Sequence, residues 1–343
     1  MTAFEALKKQ LVSAPRTWFI TGVAGFIGSN LLELLLQWGQ KVVGLDNFST
    51  GSPRNLVDVR GCVGEAGWKR FTLIEGDVTD PSICAKACVG VDYVLHHAAL
   101  GSVPRSLDDP LGVHRANVDG FVNMMIAARD AKVDRFIYAS SSSVYGDYHG
   151  LPKVEDNIGK PLSPYAVTKV VNELYADVFG RAYGLQWMGL RYFNVFGRRQ
   201  NPDGPYAAVI PTWVASLLRG TPCVIYGDGK TSRDFSYVDN VLQANLLAAT
   251  SENPLALNTV YNIALGERTT LLDLYAMIRD RLASSRPGLP GGEPQWKPFR
   301  PGDIPHSLAD ITKARRLLGY VPSHTVAQGL DGAIQWYAAT LGI

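Results

Sequence analysis

The chain has 343 residues, 46% of them hydrophobic, with 33 basic and 31 acidic residues and a formal charge of +2. That is enough apolar chain for one large domain or two unequal ones, and the balanced charge, without a long like-charge run, argues against a nucleic-acid or membrane surface. Small molecules are the expected partners. Residues 1–15 carry Lys8 and Lys9 but no apolar core of signal-peptide length. No later segment holds the roughly 18 uncharged apolar residues that a membrane span needs, so a cytosolic protein is expected. Phe4 to Val12 predicts a short amphipathic surface helix. The four cysteines, Cys62, Cys84, Cys88 and Cys223, lack Cys-x-x-Cys spacing, so neither a metal nor a disulfide is expected.

Short β-rich runs then alternate with helical patterns: Thr17-Thr21, Lys41-Asp46, Phe71-Glu75, Tyr93-His97, Arg135-Ser140 and Gln186-Arg191, separated by periodic stretches such as Phe26-Trp38 and Val113-Ala131. That rhythm predicts a doubly wound parallel α/β sheet, and continuously apolar strands such as Val42-Val43-Gly44-Leu45 predict burial of both sheet faces. Beyond Gly197, where Pro and Gly recur, a smaller mixed α/β region is expected. Phe235 to Thr250 reads as a strand and helix returning to the main sheet. The expected division is 1–196, with 235–262 returning to it, as the nucleotide-binding domain, and 197–234 with 263–343 as the substrate domain.

In Thr21-Gly22-Val23-Ala24-Gly25-Phe26-Ile27-Gly28, directly after the first strand, Gly22 permits the tight turn, Gly25 lets the backbone approach a pyrophosphate and Gly28 allows close helix-to-strand packing. Phosphates meet amides at a helix N-terminus, where the dipole favours negative charge. A plain strand-to-helix turn is the bland alternative, but Asp46 lies 24 residues after Gly22 at the end of the next strand, near the offset of a ribose-binding carboxylate. Such a carboxylate repels a 2′-phosphate, so NAD is favoured over NADP. Asp77 after the third strand and His96-His97 after the fourth fall at the same sheet edge.

Ser140-Ser141-Ser142-Ser143 precedes Tyr165-x-x-x-Lys169. A nearby cation lowers a tyrosine pKa by about 1–3, so Lys169 one turn on, together with an oxidised nicotinamide, is expected to make Tyr165 a base for an alcohol proton. An ordinary i, i+4 surface pair is the alternative on spacing alone.

With these motifs in order, the chain resembles the extended short-chain dehydrogenase/reductases, and within them the UDP-hexose 4-epimerases, over essentially its full length. The matching segments include Asp46-Asn47-Phe48-Ser49-Thr50-Gly51, Gly76-Asp77-Val78, Ser141-x-x-Val144-Tyr145-Gly146, Arg191-Tyr192-Phe193-Asn194-Val195-Phe196-Gly197, Gly227-Asp228-Gly229, Arg233-Asp234-Phe235 and Arg300-x-Gly302-Asp303. Leu100 to Ser106 and Gly197-Arg198-Arg199-Gln200 are similar to bacterial UDP-N-acetylglucosamine/UDP-N-acetylgalactosamine 4-epimerases of surface-polysaccharide pathways. His97 departs from that pattern, where relatives often have Gln beside the nicotinamide ribose.

The resemblance implies a Rossmann sheet, bound NAD and a UDP-sugar substrate. It implies that Ser141 hydrogen-bonds the sugar 4-hydroxyl and relays its proton to Tyr165, with Ser142 and Ser143 as further polar contacts. It assigns Phe26, Ile27, Asn47, Ser49, Gly51, Asp77, Val78, His97, Tyr192 and Val195 to the cofactor. Gly101 and Ser102 go to the substrate, Asn194, Arg233, Arg300 and Asp303 to the uridine diphosphate, and Ala208, Val209, Trp213 and Tyr226 to the uracil side. Ser307 is assigned to the sugar's C2 side, where a small residue leaves room for an acetamido group. It further implies a homodimer through the helix carrying Tyr165. Dehydratases of this superfamily carry an acidic residue within the two positions after that of Ser141, and here these are Ser142 and Ser143, which disfavours elimination. The implied activity is reversible C4 epimerisation of UDP-N-acetylglucosamine and UDP-N-acetylgalactosamine. UDP-glucose or UDP-glucuronate epimerisation is the alternative, and a non-catalytic NAD-sensing protein the remote one.

Overall fold

In a computed structural model that describes residues 1–204, 206–285, 293–299 and 304–340, the first two-thirds of the chain winds around one parallel sheet. In chain order the elements are α1 (Ala3–Ser13), β1 (Thr17–Thr21), α2 (Phe26–Gln37), β2 (Lys41–Asp46), α3 (Pro53–Trp68), β3 (Phe71–Glu75), α4 (Pro81–Ala87), β4 (Tyr93–His96), α5 (Val103–Asp108), α6 (Pro110–His114), α7 (Gly120–Asp130), β5 (Arg135–Ser141), α8 (Pro164–Tyr183), β6 (Trp187–Tyr192) and β7 (Val195–Phe196). There follow α9 (Val209–Leu218), β8 (Val224–Tyr226), β9 (Ser232–Arg233), β10 (Ser236–Tyr237), α10 (Val238–Thr250), β11 (Thr259–Ile263), β12 (Thr269–Thr270), α11 (Leu271–Ser285), β13 (Gln295–Lys297), α12 (Thr312–Leu318) and α13 (Val326–Thr340).

The seven-stranded sheet has the order β11-β6-β5-β4-β1-β2-β3 with every neighbouring pair parallel. The chain winds outward from β1 to β3, then crosses back so that β4 pairs with the other side of β1. Crevices at the carboxyl edge of such a reversal hold ligands in open α/β sheets. The register aligns the strand ends there: Thr21 pairs with His96 and with Leu45, and Ser141 with Tyr192. The central strands are apolar because helices cover both faces. Trp18, Phe19 and Ile20 are fully buried, and a side chain of that kind contributes about 1.5–3 kcal/mol when taken out of water.

Three features differ from the sequence reading. First, β3 lies at the sheet edge, and Leu73 within it is 40% exposed, so burial of both faces does not extend to this strand. Second, the helix expected over Val113-Ala131 is interrupted by a π-helical turn at Arg115–Asp119. The reason is Asn117, which accepts from the Leu100 amide at 2.7 Å, donates to the Leu100 carbonyl at 3.1 Å and reaches Thr168 Oγ1 at 3.2 Å, pinning the loop after β4. Third, the strand at Ser236–Tyr237 pairs with Val195–Phe196 and not with the large sheet, which receives Thr259–Ile263 instead. Helix α1 follows the predicted segment and buries Leu7 and Leu11.

The segment after β7 is tied back by a buried arginine. Arg199, in left-handed backbone at φ 65°, places Nη2 2.5 Å from Glu33 Oε2 on α2 and Nε 2.6 Å from Asp58 Oδ2 on α3. The small two-stranded pairs β8 with β13 and β9 with β12 then build the second side of the cleft.

Candidate active site

The turn between β1 and α2 is shaped for close backbone approach. Gly22 has φ +69°, and a Cβ there would stand 2.9 Å from the Ala98 amide nitrogen; a Cβ on Gly28 would stand 2.1 Å from the Gly22 carbonyl. Gly25 caps α2 with no side-chain hydrogen bond, leaving the first amides, at Phe26 and Ile27, without a side-chain cap. The Thr21 hydroxyl lies 2.9 Å from His96 Nδ1 and accepts from the His97 and Ala98 amides, both at 3.1 Å, so the ends of β1 and β4 are bonded together.

At the end of β2 the buried Asp46 accepts from the Ala24 amide through Oδ2 and from the Phe48 amide through Oδ1, each at 2.8 Å. Burial pushes its carboxyl up, against those two donors. Gly51 packs on the same carboxylate, where a Cβ would be 2.8 Å from Oδ1. Asn47 donates to Asp77 Oδ2 at 2.6 Å, and the Thr79 amide to Oδ1 at 2.8 Å. Burial pushes Asp77 up, but these bonds hold it below its ordinary value. Gly22, Asp46, Ser49, Asp77, Val78 and His97 all line one cleft. Glycines that leave no room for a Cβ beside the amides of a helix N-terminus, facing a carboxylate one strand away, fit a dinucleotide carrying a free ribose diol.

His97 extends this cleft toward β6. Its ring lies parallel to Tyr192 (3°, centroids 6.0 Å apart), and Nε2 is 3.1 Å from Asn245 Oδ1. Burial pushes the imidazole down to about 4, so it is neutral at physiological pH. The Asn245 amide nitrogen donates to the Val241 carbonyl, which leaves its oxygen to accept from His97 Nε2. Nδ1 is then the bare nitrogen, buried and with no hydrogen-bond partner among the described residues.

The serine cluster closes β5. Ser141 Oγ accepts from the Ser143 amide at 3.1 Å, capping the 3₁₀ turn Ser142–Tyr145, and the hydroxyl stands near enough to Tyr165 to draw its phenol downward. The Ser143 hydroxyl is buried without a partner among the described residues. Ser163 caps α8 by accepting from the Ala166 amide at 3.1 Å, which sets Tyr165 in the first turn and Lys169 one turn on. Lys169, 3% exposed, donates from Nζ to the Ala139 carbonyl at 2.8 Å and lies 5.8 Å from the Tyr165 ring centroid. Burial pushes the ammonium down to about 8. It also pushes the Tyr165 phenol above its ordinary value, with Ser141 opposing. In the protein alone, burial thus works against the lowering expected from Lys169, whose own hydrogen bond goes to a strand carbonyl.

On the other side of the cleft, Asn194, Val209, Trp213, Tyr226, Arg233 and Phe235 line a second hollow. Ala208 is the residue before α9, and Val195 lies in β7. Arg233 Nη1 donates to the Ser232 and Pro305 carbonyls at 3.1 and 3.2 Å. Asp234 is fully buried and accepts from the Leu265, Gly266 and Ala309 amides at 3.0, 3.0 and 3.2 Å. The half-buried Ser307 is fixed through its amide, 3.1 Å from the Ser232 carbonyl. Gly101 is exposed, and Ser102, at φ 89°, caps α5. Arg300 and Asp303 lie outside the described residues. The sequence reading missed Thr21, Asn117, Asn245 and Glu173; only Glu173 left a trace there, four residues beyond Lys169 in the Tyr165, Lys169 series. Among the described residues there is no metal-binding cluster, and no helix is long and apolar enough to cross a membrane.

The profile of the NAD dependent epimerase/dehydratase family matches residues 18–264. A UDP-glucose 4-epimerase of Mycolicibacterium smegmatis is 35% identical over 320 residues, which is 93% of this chain and 97% of that protein. Among solved structures, a UDP-N-acetylglucosamine 4-epimerase from Methanobrevibacter ruminantium, in complex with UDP-N-acetylmuramic acid, is 37% identical with a TM-score of 0.86, covering 95% of this chain and 99% of that one. A UDP-glucuronic acid 4-epimerase from Bacillus cereus, with UDP-glucuronic acid and NAD bound, is 30% identical with a TM-score of 0.82, covering 94% of this chain and 99% of that one.

Replacing Asp46 by Ala removes the carboxylate expected to accept from the ribose and to repel a 2′-phosphate. The expected outcome is loss of NAD on gel filtration and a narrowed preference over NADP, measured by released dinucleotide and by binding titration. Full NAD content with NADP still excluded would mean that Asp46 serves only to hold Ala24 and Phe48.

Proposed function

This chain belongs to the NAD dependent epimerase/dehydratase family, and we propose that it interconverts UDP-N-acetylglucosamine and UDP-N-acetylgalactosamine by reversible oxidation at C4. The observation that carries the reaction is the placement of Ser141 at the end of β5 and of Tyr165 in the first turn of α8, with the buried Lys169 one turn on and bonded to the carbonyl of Ala139 in that same strand. Bound NAD supplies the hydride acceptor and, in the return half, the donor, so there is no net redox change. Gly22, Gly25, Gly28, Asp46, Asp77 and His97 hold it.

Ser141 accepts the sugar's 4-hydroxyl bond and passes its proton to Tyr165, whose phenolate is supported by the Lys169 ammonium. The 4-keto sugar stays anchored through its diphosphate, turns its other face to the site and regains the proton from Tyr165. A grip on the nucleotide, and not on the sugar, is what such a turn requires. Asn194, Arg233, Arg300 and Asp303 supply it, with Ala208, Val209, Trp213 and Tyr226 on the uracil side. Arginine suits the diphosphate because its planar fork donates two bonds at once.

Ser307 carries the substrate choice. Its amide is fixed to the Ser232 carbonyl, and its small side chain is proposed to face the sugar's C2 side. Incubation with each UDP-sugar and separation of epimers tests the assignment, and Ser307→Tyr sharpens it. The variant is expected to lose activity on both N-acetyl sugars by steric exclusion while keeping any activity on UDP-glucose and UDP-galactose. Undiminished turnover of the acetylated substrates would overturn it.

Tyr165→Phe keeps the ring and removes the base. Epimerisation should fall by about 10²- to 10⁴-fold with NAD content unchanged, and near-parent turnover would refute the acid/base role.

A homodimer through α8 completes the proposal. Val167, Leu174 and Val178 are 47%, 62% and 46% exposed, and their spacing puts them on one face of the helix, opposite the face that buries Lys169 and Asn172. Light scattering should report a dimer for the parent and a monomer for Leu174→Glu; a monomeric parent at micromolar concentration rules this out.

A further inference from the structure

Glu173 follows Lys169 by four residues, as Lys169 follows Tyr165, so the three share the face of α8 that lies against the sheet. The mechanism above leaves this carboxylate unused, yet three bonds hold it. Oε1 accepts from the Ser140 hydroxyl at 2.6 Å and from Arg191 Nε at 2.9 Å, and Oε2 accepts from Arg191 Nη2 at 2.7 Å. Ser140 stands between Ala139, whose carbonyl receives Lys169, and Ser141, whose hydroxyl draws the Tyr165 phenol downward. Arg191 is itself fixed, with Nη1 2.8 Å from the Glu155 carbonyl and 3.2 Å from the Tyr145 hydroxyl. The carboxylate thus joins the helix bearing Tyr165 and Lys169 to the strand end bearing Ser141.

The charges around Lys169 and Glu173 are few. Tyr165 comes from α8, His96 from β4 and His97 from the residue after it, Tyr138 from β5 and Arg191 from β6. His96 is buried and His97 half-buried, and both are held neutral, partly by Lys169 itself. Tyr138 is buried and pushed upward, which keeps it un-ionised. Glu173 is the carboxylate whose field opposes the loss of the Lys169 proton on burial.

We propose that Glu173 is a positioning residue for the reaction: its carboxylate keeps the Lys169 ammonium charged and fixes the end of β5 at which Ser141 meets Tyr165. The role rests on the epimerase reading, but its test need not. In the holoenzyme, labelling by acetic anhydride, quantified on the Lys169 peptide by mass spectrometry from neutral to alkaline pH, reports the amine directly. The parent midpoint is expected at about 8. In Glu173→Gln, which keeps the shape and loses the charge, the midpoint should fall by about one pH unit, and the alkaline limb of kcat should move with it. Ser140→Ala keeps the charge and cuts the strand tether, so it should lower kcat and leave the midpoint in place. Because a lone buried Arg191 threatens folding of the single variant, Glu173→Gln/Arg191→Met removes both charges, and its midpoint should fall as well. Superimposable labelling curves for the parent and the Glu173 variants would overturn the proposal, as would an equal displacement in Ser140→Ala. A parent that labels as expected yet epimerises no UDP-sugar would count against the epimerase reading alone.

Discussion

Everything at the site depends on how β1 and β4 are fastened where the chain reverses direction across the sheet. The Thr21 hydroxyl binds the His96 ring and the amides of His97 and Ala98, and the Gly22 turn then passes so close to Ala98 that no side chain fits. A hydroxyl at that one position adds side-chain bonds to its neighbour at the point where the parallel ladder ends. The crevice follows from it, because the chain runs to Asp46 on one side and to His97 and the serines on the other. In-register parallel pairing carries the alignment on to Ser141 and Tyr192, so groups far apart in sequence reach one edge.

Burial then decides the electrostatics of that edge. Lys169 and His97 are pushed toward their neutral forms and Tyr165 toward its phenol, because desolvation outweighs every opposing contribution, the field of Glu173 at Lys169 included. The same low-dielectric surroundings magnify every charge that remains. A phenol held protonated in this way is poised to respond to a positive charge arriving beside it. That suits a base needed only while substrate and cofactor are both in place.

The parts of this arrangement legible in the sequence are those built from neighbours in the chain. Gly22, Gly25 and Gly28 announce a turn because only glycine satisfies its geometry, and Tyr165 with Lys169 announces a helix face through its spacing. The paired strands were readable because their apolar runs are short and continuous. What could not be read depends on contacts across the fold. Asn117 bends its helix for the sake of Leu100, 17 residues away, and Arg199 meets Glu33 and Asp58 at separations of 166 and 141 residues. The pairing of Ser236–Tyr237 with Val195–Phe196 was hidden for a related reason: a two-residue strand has no periodicity to display.

The division of labour between the two sides of the cleft follows from how each is held. The dinucleotide side rests on continuous strands whose positions are set by the sheet ladder. The other side is built from two-residue strands and loops, and there side chains take the ladder's place. Asp234 gathers the amides of Leu265, Gly266 and Ala309 around one buried carboxylate, and Ser232 receives both the Ser307 amide and the His306 ring. A wall assembled from such local clasps can change one residue, as at Ser307, without disturbing the sheet that holds Tyr165 and Lys169. On the proposed assignment, substrate choice and chemistry rest on separate physical supports within one fold.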